Sequence, residues 1–460
     1  MQPTQTVDTQ RTKSKCRVES CDPVSIEHGV RQMLADKVSG TMMGLWLLIP
    51  ELLRLGVWDL LCGWVGQPGG RLEPRLGLQL VNEAALCLTR VRQNGSLSQK
   101  GLELACGLPF LATDEAVHDL LAARTMAETQ DLQVALGRIR LASRHYRGEV
   151  LALDAHHLHS SSRRLMPRRR AKPELPATKS SQSAFCLDTA TFQPLCCILG
   201  SSALSAAQYT PDLLDLAARI LCPAPRTVLA VADSELLAGS IFHQVKARTP
   251  FDLLTPMPAY PAYRRELAAL PPEAFTHRWA GIATAKTPFS FRDAPGRFTR
   301  IVQRTGELPD PYKLRAFLCT RDRDEVEALC REFPSRWHVE EFFNANQALG
   351  WEKAGTMNLN VRYGKMTAAL VAQAAIHQLR GRLGQPCSRW DAKHLAKDIF
   401  QGLDGDIRVR DDTILVTYYN AAELQPLAGR LEHLPDTLAA EGVDPRIPWL
   451  YGLKLDFRFR

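Results

Sequence analysis

The chain has 460 residues, 45% of them hydrophobic and 23% charged. That balance excludes fibrous and largely disordered classes, and at roughly 100–200 residues per domain the length predicts two to four units. Lys and Arg number 57 against 49 Asp and Glu, a formal net charge of +8 that favours a polyanionic partner through phosphate neutralisation.

The 12 cysteines lack paired CxxC spacing and follow no secretory signal, so they are read as reduced cysteines of a cytoplasmic protein. Residues 1–27 are polar, without apolar periodicity, and are expected to form a flexible tail. Residues 28–147 read as an all-helical domain, with Leu45, Leu48, Ile49, Leu52, Leu53 and Leu55 at helical spacings and a Gly/Pro break at 66–70. The apolar stretch 42–65 is interrupted by Glu51, Arg54 and Asp59, so a buried helix is expected there and no membrane span. Within this domain, residues 96–109 and 113–121 read as helix, glycine-containing turn and helix. The pattern suits a DNA-binding helix-turn-helix and equally a plain helical hairpin, because Asp114, Glu115 and Asp119 on the second helix repel phosphates.

At residue 150 the pattern changes to α/β. Residues 150–154 form an apolar run that closes on Asp154, as in a buried central strand. A strand pair is expected at 183–188 and 193–199, a helix at 211–221 with Asp212 near its start, and a second apolar strand at 227–233 closing on Asp233. Residues 251–318 are rich in short aromatic and Arg-bearing strands and read as a β-rich insertion; Trp279 lies inside it. A strand at 312–320, a helix at 322–333 and a longer helical region from 337 to 383 follow. The remainder, 384–460, is an extension with one β-hairpin candidate, 407–409 with 414–418.

Asp154 and Asp233 put carboxylates at the C-terminal ends of strands, where α/β folds build their sites. A third acid stands in Phe333-Pro334-Ser335-Arg336-Trp337-His338-Val339-Glu340-Glu341-Phe342-Phe343, where Arg336, Glu340 and Gln347 are spaced to share one helical face. Glu341 lies about 100° around the helix from Glu340, off the Arg336 face. Glu235 reads as a helix-start residue, and His156, His157 and His159 as phosphate contacts or exposed loop residues.

The series Phe333, Arg336, Glu340, Gln347 resembles the Y-R-E-K signature of DDE transposases from bacterial insertion sequences. Two positions depart from it: Phe333 lacks the tyrosine hydroxyl, and Gln347 lacks the lysine ammonium. The order Asp, Asp, Glu and the long second gap fit members that carry a β-rich insertion before the glutamate, and the resemblance covers residues 151–383.

The resemblance implies a ribonuclease-H-like mixed sheet over residues 148–383, with the insertion at about 251–318. It implies that Asp154, Asp233 and Glu340 are catalytic and hold two Mg²⁺ (or Mn²⁺) ions, Asp154 bridging both. Two-metal phosphodiester chemistry independently asks for such hard oxygen ligands. It further implies DNA contacts through Arg336, Gln347, the basic run Arg163, Arg164, Arg168, Arg169 and Arg170, and base stacking on Trp279. The implied function is cleavage at the terminal inverted repeats of a mobile element and strand transfer into target DNA, by a homodimer acting on a bacterial nucleoid. A nuclease of the same fold and a transposase-derived DNA-binding protein without catalysis are the alternatives.

Overall fold

The computed structural model describes residues 23–66, 72–88, 99–159, 168–169, 174, 176–200, 206–225, 227–307, 311–352, 356, 358–421, 424 and 428–460. From Pro23 the described residues form helices α1 (Pro23–Ala35), α2 (Ile49–Arg54), α3 (Val57–Val65), α4 (Glu73–Ala85), α5 (Lys100–Ala105), α6 (Asp114–Ala122) and α7 (Met126–Ala142). Helix α1 starts at Pro23, inside the stretch expected to be a tail. Nor is this part all helical: strand β1 (Val38–Gly40) pairs with β12 (Gly405–Arg410), and β13 (Thr413–Tyr418) and β14 (Lys454–Phe459) complete a four-stranded sheet. Such a three-residue strand lies below what periodicity can detect. The hairpin expected near residue 411 is β12–β13.

Between them lies a ten-stranded mixed sheet: β2 (Val150–His159), β3 (Arg168–Arg169), β4 (Thr178–Asp188), β5 (Gln193–Gly200), β6 (Val228–Ala232), β7 (Phe251–Pro256), β8 (Thr276–Trp279), β9 (Ile282–Phe289), β10 (Phe298–Thr305) and β11 (Lys313–Cys319). Its order is β3-β4-β2-β6-β7-β11-β10-β9-β8, with β5 on β4. The parallel centre is β2-β6-β7, linked by α8 (Ala206–Leu221) and α9 (Gly239–Arg248). The stretch expected as an insertion is therefore not separate. Its first strand, β7, is a central strand, and after α10 (Pro261–Ala268) the strands β8–β11 extend the same sheet.

Alternation of side chains divides the core. Leu151, Leu153, Ala230, Ala232 and Leu253 face a cluster with α8 and α9, through Leu213, Ala217, Phe242 and Val245. Ala152, Phe185, Val231 and Leu254 face the opposite side, which is shared with the N-terminal helices and with α13 (Leu359–Leu383). Between β11 and α13 the chain runs through α11 (Glu325–Glu327), a π-helical turn at Ala328–Glu332, a 3-10 turn at Pro334–Trp337 and α12 (His338–Asn346). Among the described residues no helix is long and apolar enough to cross a membrane.

Candidate active site

Strands β2 and β6 are parallel, with Leu153 beside Ala232. Strand β6 stops there while β2 continues to His159, so Asp154 and Asp233 are neighbours at the level where the centre of the sheet ends. Both follow inward-facing residues of the α8/α9 side and so point to the other side, where α12 lies.

Packing fixes α12 there. His156, two residues beyond Asp154, stacks its ring on Phe343 at 4.3 Å, and its Nε2 lies 3.2 Å from the carbonyl oxygen of Trp351. Phe185 meets Phe343 edge to face at 5.0 Å and Trp351 at 5.3 Å. At the other end, His338 Nδ1 lies 2.7 Å from the Thr189 carbonyl oxygen. His156 is thus a packing residue rather than the exposed or phosphate-contacting one expected; the side chains of His157 and His159 lie outside the described residues.

Arg336, in the turn before α12 and largely buried, joins the acids. Its Nη1 is 3.9 Å from Asp154 Oδ1 and its Nη2 is 3.6 Å from Glu340 Oε1. Its Nε is buried without a hydrogen-bond partner. Burial pushes the Asp154 carboxyl up to about 6; Arg336 opposes that shift, while the charges of Asp233 and Glu340 add to it. Electrostatics thus record that the three acids share one neighbourhood. Asp233 accepts a 2.6 Å hydrogen bond from the Ser234 N–H, which orients its carboxylate at the strand end.

A cavity of about 190 Å³ opens at this point, lined by Leu153, Asp154, Ala155, Asp233, Glu235 and Leu236. Glu235 is thereby a fourth acid at the site, placed by the 3-10 turn Ser234–Leu236. Its proximity to Asp233 in sequence is the signal that could have found it.

Hard carboxylate oxygens around a polar cavity suit Mg²⁺ or Mn²⁺ in kind. Asp154 and Asp233 are the adjacent pair that would hold such an ion. Among the described residues, however, no three His, Cys, Asp or Glu side chains converge closely enough to ligate one ion. Glu340, 46% exposed, is instead turned toward Arg336.

The remaining candidates scatter. Gln347 does not share the face of Glu340: α12 ends at Asn346 (φ −131°), Gln347 begins a 3-10 turn, and Gly350 at φ 126° reverses the chain so that Trp351 is buried. Phe333 packs its ring on Phe317 of β11 at 4.9 Å, a contact that needs no hydroxyl. Trp279 is 45% exposed at the far end of β8. Arg168 and Arg169 form β3 against Lys179 and Thr178 of β4, on the ribbon that β2 and β4 extend beyond Asp154. Arg163, Arg164 and Arg170 lie outside the described residues. Trp337, beside Arg336 and 57% exposed, is an aromatic surface that the sequence reading passed over.

The helix-turn-helix candidate is poorly placed to read DNA. All of Gly101–Ala105 in α5 is buried, and a Cβ on Gly101 would lie 2.3 Å from the Thr41 carbonyl oxygen. The exposed side of α6 carries Asp114, Glu115 and Asp119.

No protein-family model matches the chain, and no curated protein matches it in sequence. Among solved structures, the chain is similar to a piggyBac transposase seen by cryo-EM in a synaptic complex with hairpin DNA. The TM-score is 0.43 with 10% identity, over 79% of this chain and 82% of that one.

Proposed function

We propose that the chain is a DNA transposase of the DDE type, with a ribonuclease-H-like catalytic sheet and Asp154, Asp233 and Glu340 as its acids. The observation that carries this reading is the convergence on one sheet face of two strand-end aspartates and an Arg336–Glu340 pair from a distant helix. Its chemical sense is phosphodiester cleavage followed by attack of the freed 3′-hydroxyl on a second strand. Mg²⁺ or Mn²⁺, when bound, would lower the pKa of the attacking hydroxyl and offset charge on the leaving oxygen.

The chain's own residues supply the rest. Asp154 and Asp233 present carboxylate oxygens to the cavity. Arg336 holds Asp154 and Glu340 in register until a cation enters, and its guanidinium then becomes available to a DNA phosphate. Trp337 offers a stacking surface next to the cut. Two chains would bring the two ends of the element together.

The test is cleavage of duplexes carrying the element's terminal repeats in the presence of Mg²⁺. Asp154→Asn, Asp233→Asn and Glu340→Gln are expected to abolish cleavage and leave DNA binding nearly intact; full cleavage by any one of them overturns the assignment. A labelled end with a target plasmid separates a transposase, which yields joined products, from a nuclease, which does not. A second reading, a DNA-binding protein without catalysis, draws on Arg336 sitting between Asp154 and Glu340, and it requires that the unsubstituted chain leave the duplex intact.

A further inference from the structure

A second cavity, larger than the one beside Asp154 and Asp233, lies away from the acids. It measures about 570 Å³ and is lined by Lys246, Lys286, Arg297 and Arg321 against the single carboxylate of Asp322, with the hydroxyls of Thr287, Thr299 and Thr320. Sheet register fixes its position. Thr320 bonds back to Leu253 near the start of β7, whereas Asp233 follows the end of β6, so the cavity is at the opposite edge of the sheet. Lys286 is on β9, four strands from β6, or about 20 Å at roughly 4.8 Å per strand. One phosphate cannot reach both places.

Arg297 and Arg321 are the cations that the fold leaves most open. The guanidinium of Arg297 is exposed, with no hydrogen bond or ion pair to a described residue. Arg321, 45% exposed, is 3.7 Å from Asp252, longer than a direct hydrogen bond. Lys246 donates to the Arg297 carbonyl oxygen at 2.5 Å, which brings α9 and the β9–β10 connection together at the cavity. Lys286 is paired with Asp322 at 2.9 Å and contributes less. The lining aromatic, Phe298, is 2% exposed and covered by Lys246, so no ring face is open for a base. Cations and hydroxyls without a stacking surface suit a sugar-phosphate backbone rather than a nucleotide.

We propose that this cavity binds the backbone of a second stretch of DNA, distinct from the one presented to Asp154 and Asp233. The proposal rests on the reading of the chain as a DNA-acting enzyme, but its test is binding without cleavage. In Mg²⁺-free buffer, a labelled duplex is titrated onto the full chain at several salt concentrations. Even about 12 bp, roughly 41 Å at 3.4 Å per base pair, can reach both places, so the salt dependence of binding is the readout; Asp154→Asn is expected to keep the slope of the unsubstituted chain.

With a long duplex, the double variant Arg297→Gln/Arg321→Gln is expected to lower the slope of log K against log salt by about two, at roughly 0.9 per phosphate contact. Should the double variant fail to fold, Arg297→Gln alone is expected to lower the slope by about one. An unchanged slope overturns the proposal and leaves the acidic site untouched. A lowered slope together with full cleavage by Asp154→Asn supports the cavity and overturns the triad instead.

Discussion

The guanidinium of Arg336 stands 3.9 Å from the carboxylate of Asp154, and the same group reaches Glu340 at 3.6 Å. These distances are longer than direct hydrogen bonds, so Arg336 acts as a buried counter-charge shared between two acids. Removing it leaves Asp154 and Glu340 to repel each other in a half-buried place. Arg336→Gln is expected to lower the cleavage rate by about 10–100-fold, as for other residues that orient ligands from behind. Its Mg²⁺ dependence should shift to higher concentration. A variant that cleaves at the normal rate and Mg²⁺ midpoint shows that Arg336 is not a positioning residue.

Asp154 gives the molecule a definite pH signature. Its carboxyl is raised from 3.8 to about 6 in the folded chain, so between those values the native state holds a proton that the unfolded state releases. Stability of the metal-free chain therefore falls as pH rises through this window and is level above it. Asp154→Asn removes that penalty and is expected to stabilise the metal-free chain at pH 8 by roughly 3 kcal/mol, with no gain at pH 3. Denaturant titrations in EDTA at the two pH values measure this. Because the proton must leave before a cation enters, Mn²⁺ affinity should rise from pH 5 to pH 7 and lose that dependence in Asp154→Asn.

Two tryptophans in the same stretch separate packing from function. Trp351 is fully buried, donates Nε1–H to the Met366 carbonyl oxygen and receives His156 at its own carbonyl. Trp351→Ala is expected to cost about 3–5 kcal/mol. Trp337 is 57% exposed. Trp337→Ala should change stability by no more than about 0.5 kcal/mol while weakening single-stranded DNA by about 1–3 kcal/mol, the value of one stacked base. Equal binding by Trp337→Ala and the unsubstituted chain removes Trp337 from the interface.

The parts of this site that could be read from the sequence are those held by local pattern. Apolar runs that close on Asp154 and Asp233 identify β2 and β6, and the spacing of Arg336 and Glu340 survives as a contact at 3.6 Å. What local pattern could not carry is set by distant partners. Strand β7 reads like any apolar strand of the following stretch, and only its pairing with β6 makes it central. Gln347 leaves the helical face because Gly350 turns the chain to bury Trp351, a demand of the core that no periodicity records. His156 looks like a surface histidine until α12 lays Phe343 on it. The π-helical turn at Ala328–Glu332 likewise interrupts a stretch whose composition is plainly helical.

The far end of α13 offers a prediction about stability alone. Glu51 of α2, 1% exposed, is 3.1 Å from Arg54 and 2.9 Å from Arg382, and both arginines also reach Glu441 at 2.6 and 3.2 Å. Burial raises the Glu51 carboxyl, and Arg54 and Arg382 offset only part of that rise. Burial is the largest single influence on the more open Glu441 and raises its carboxyl, but the hydrogen bonds and charges of Arg54 and Arg382 together hold it below its ordinary range. Glu51→Ala strands two guanidiniums against one remaining carboxylate and is expected to cost about 3–5 kcal/mol, as when one member of a buried pair is removed. Glu441→Gln, at a site 35% exposed, should cost no more than about 1 kcal/mol. Chemical denaturation ranks the two. Arg382 lies in the last turn of α13, whereas Tyr363 near its start donates to the Cys197 carbonyl oxygen, on the strand pair beside Asp154. Cleavage per folded molecule should therefore be unchanged in Glu51→Ala below its unfolding transition. A loss of activity without unfolding would mean that α13 transmits strain along its length to the acids.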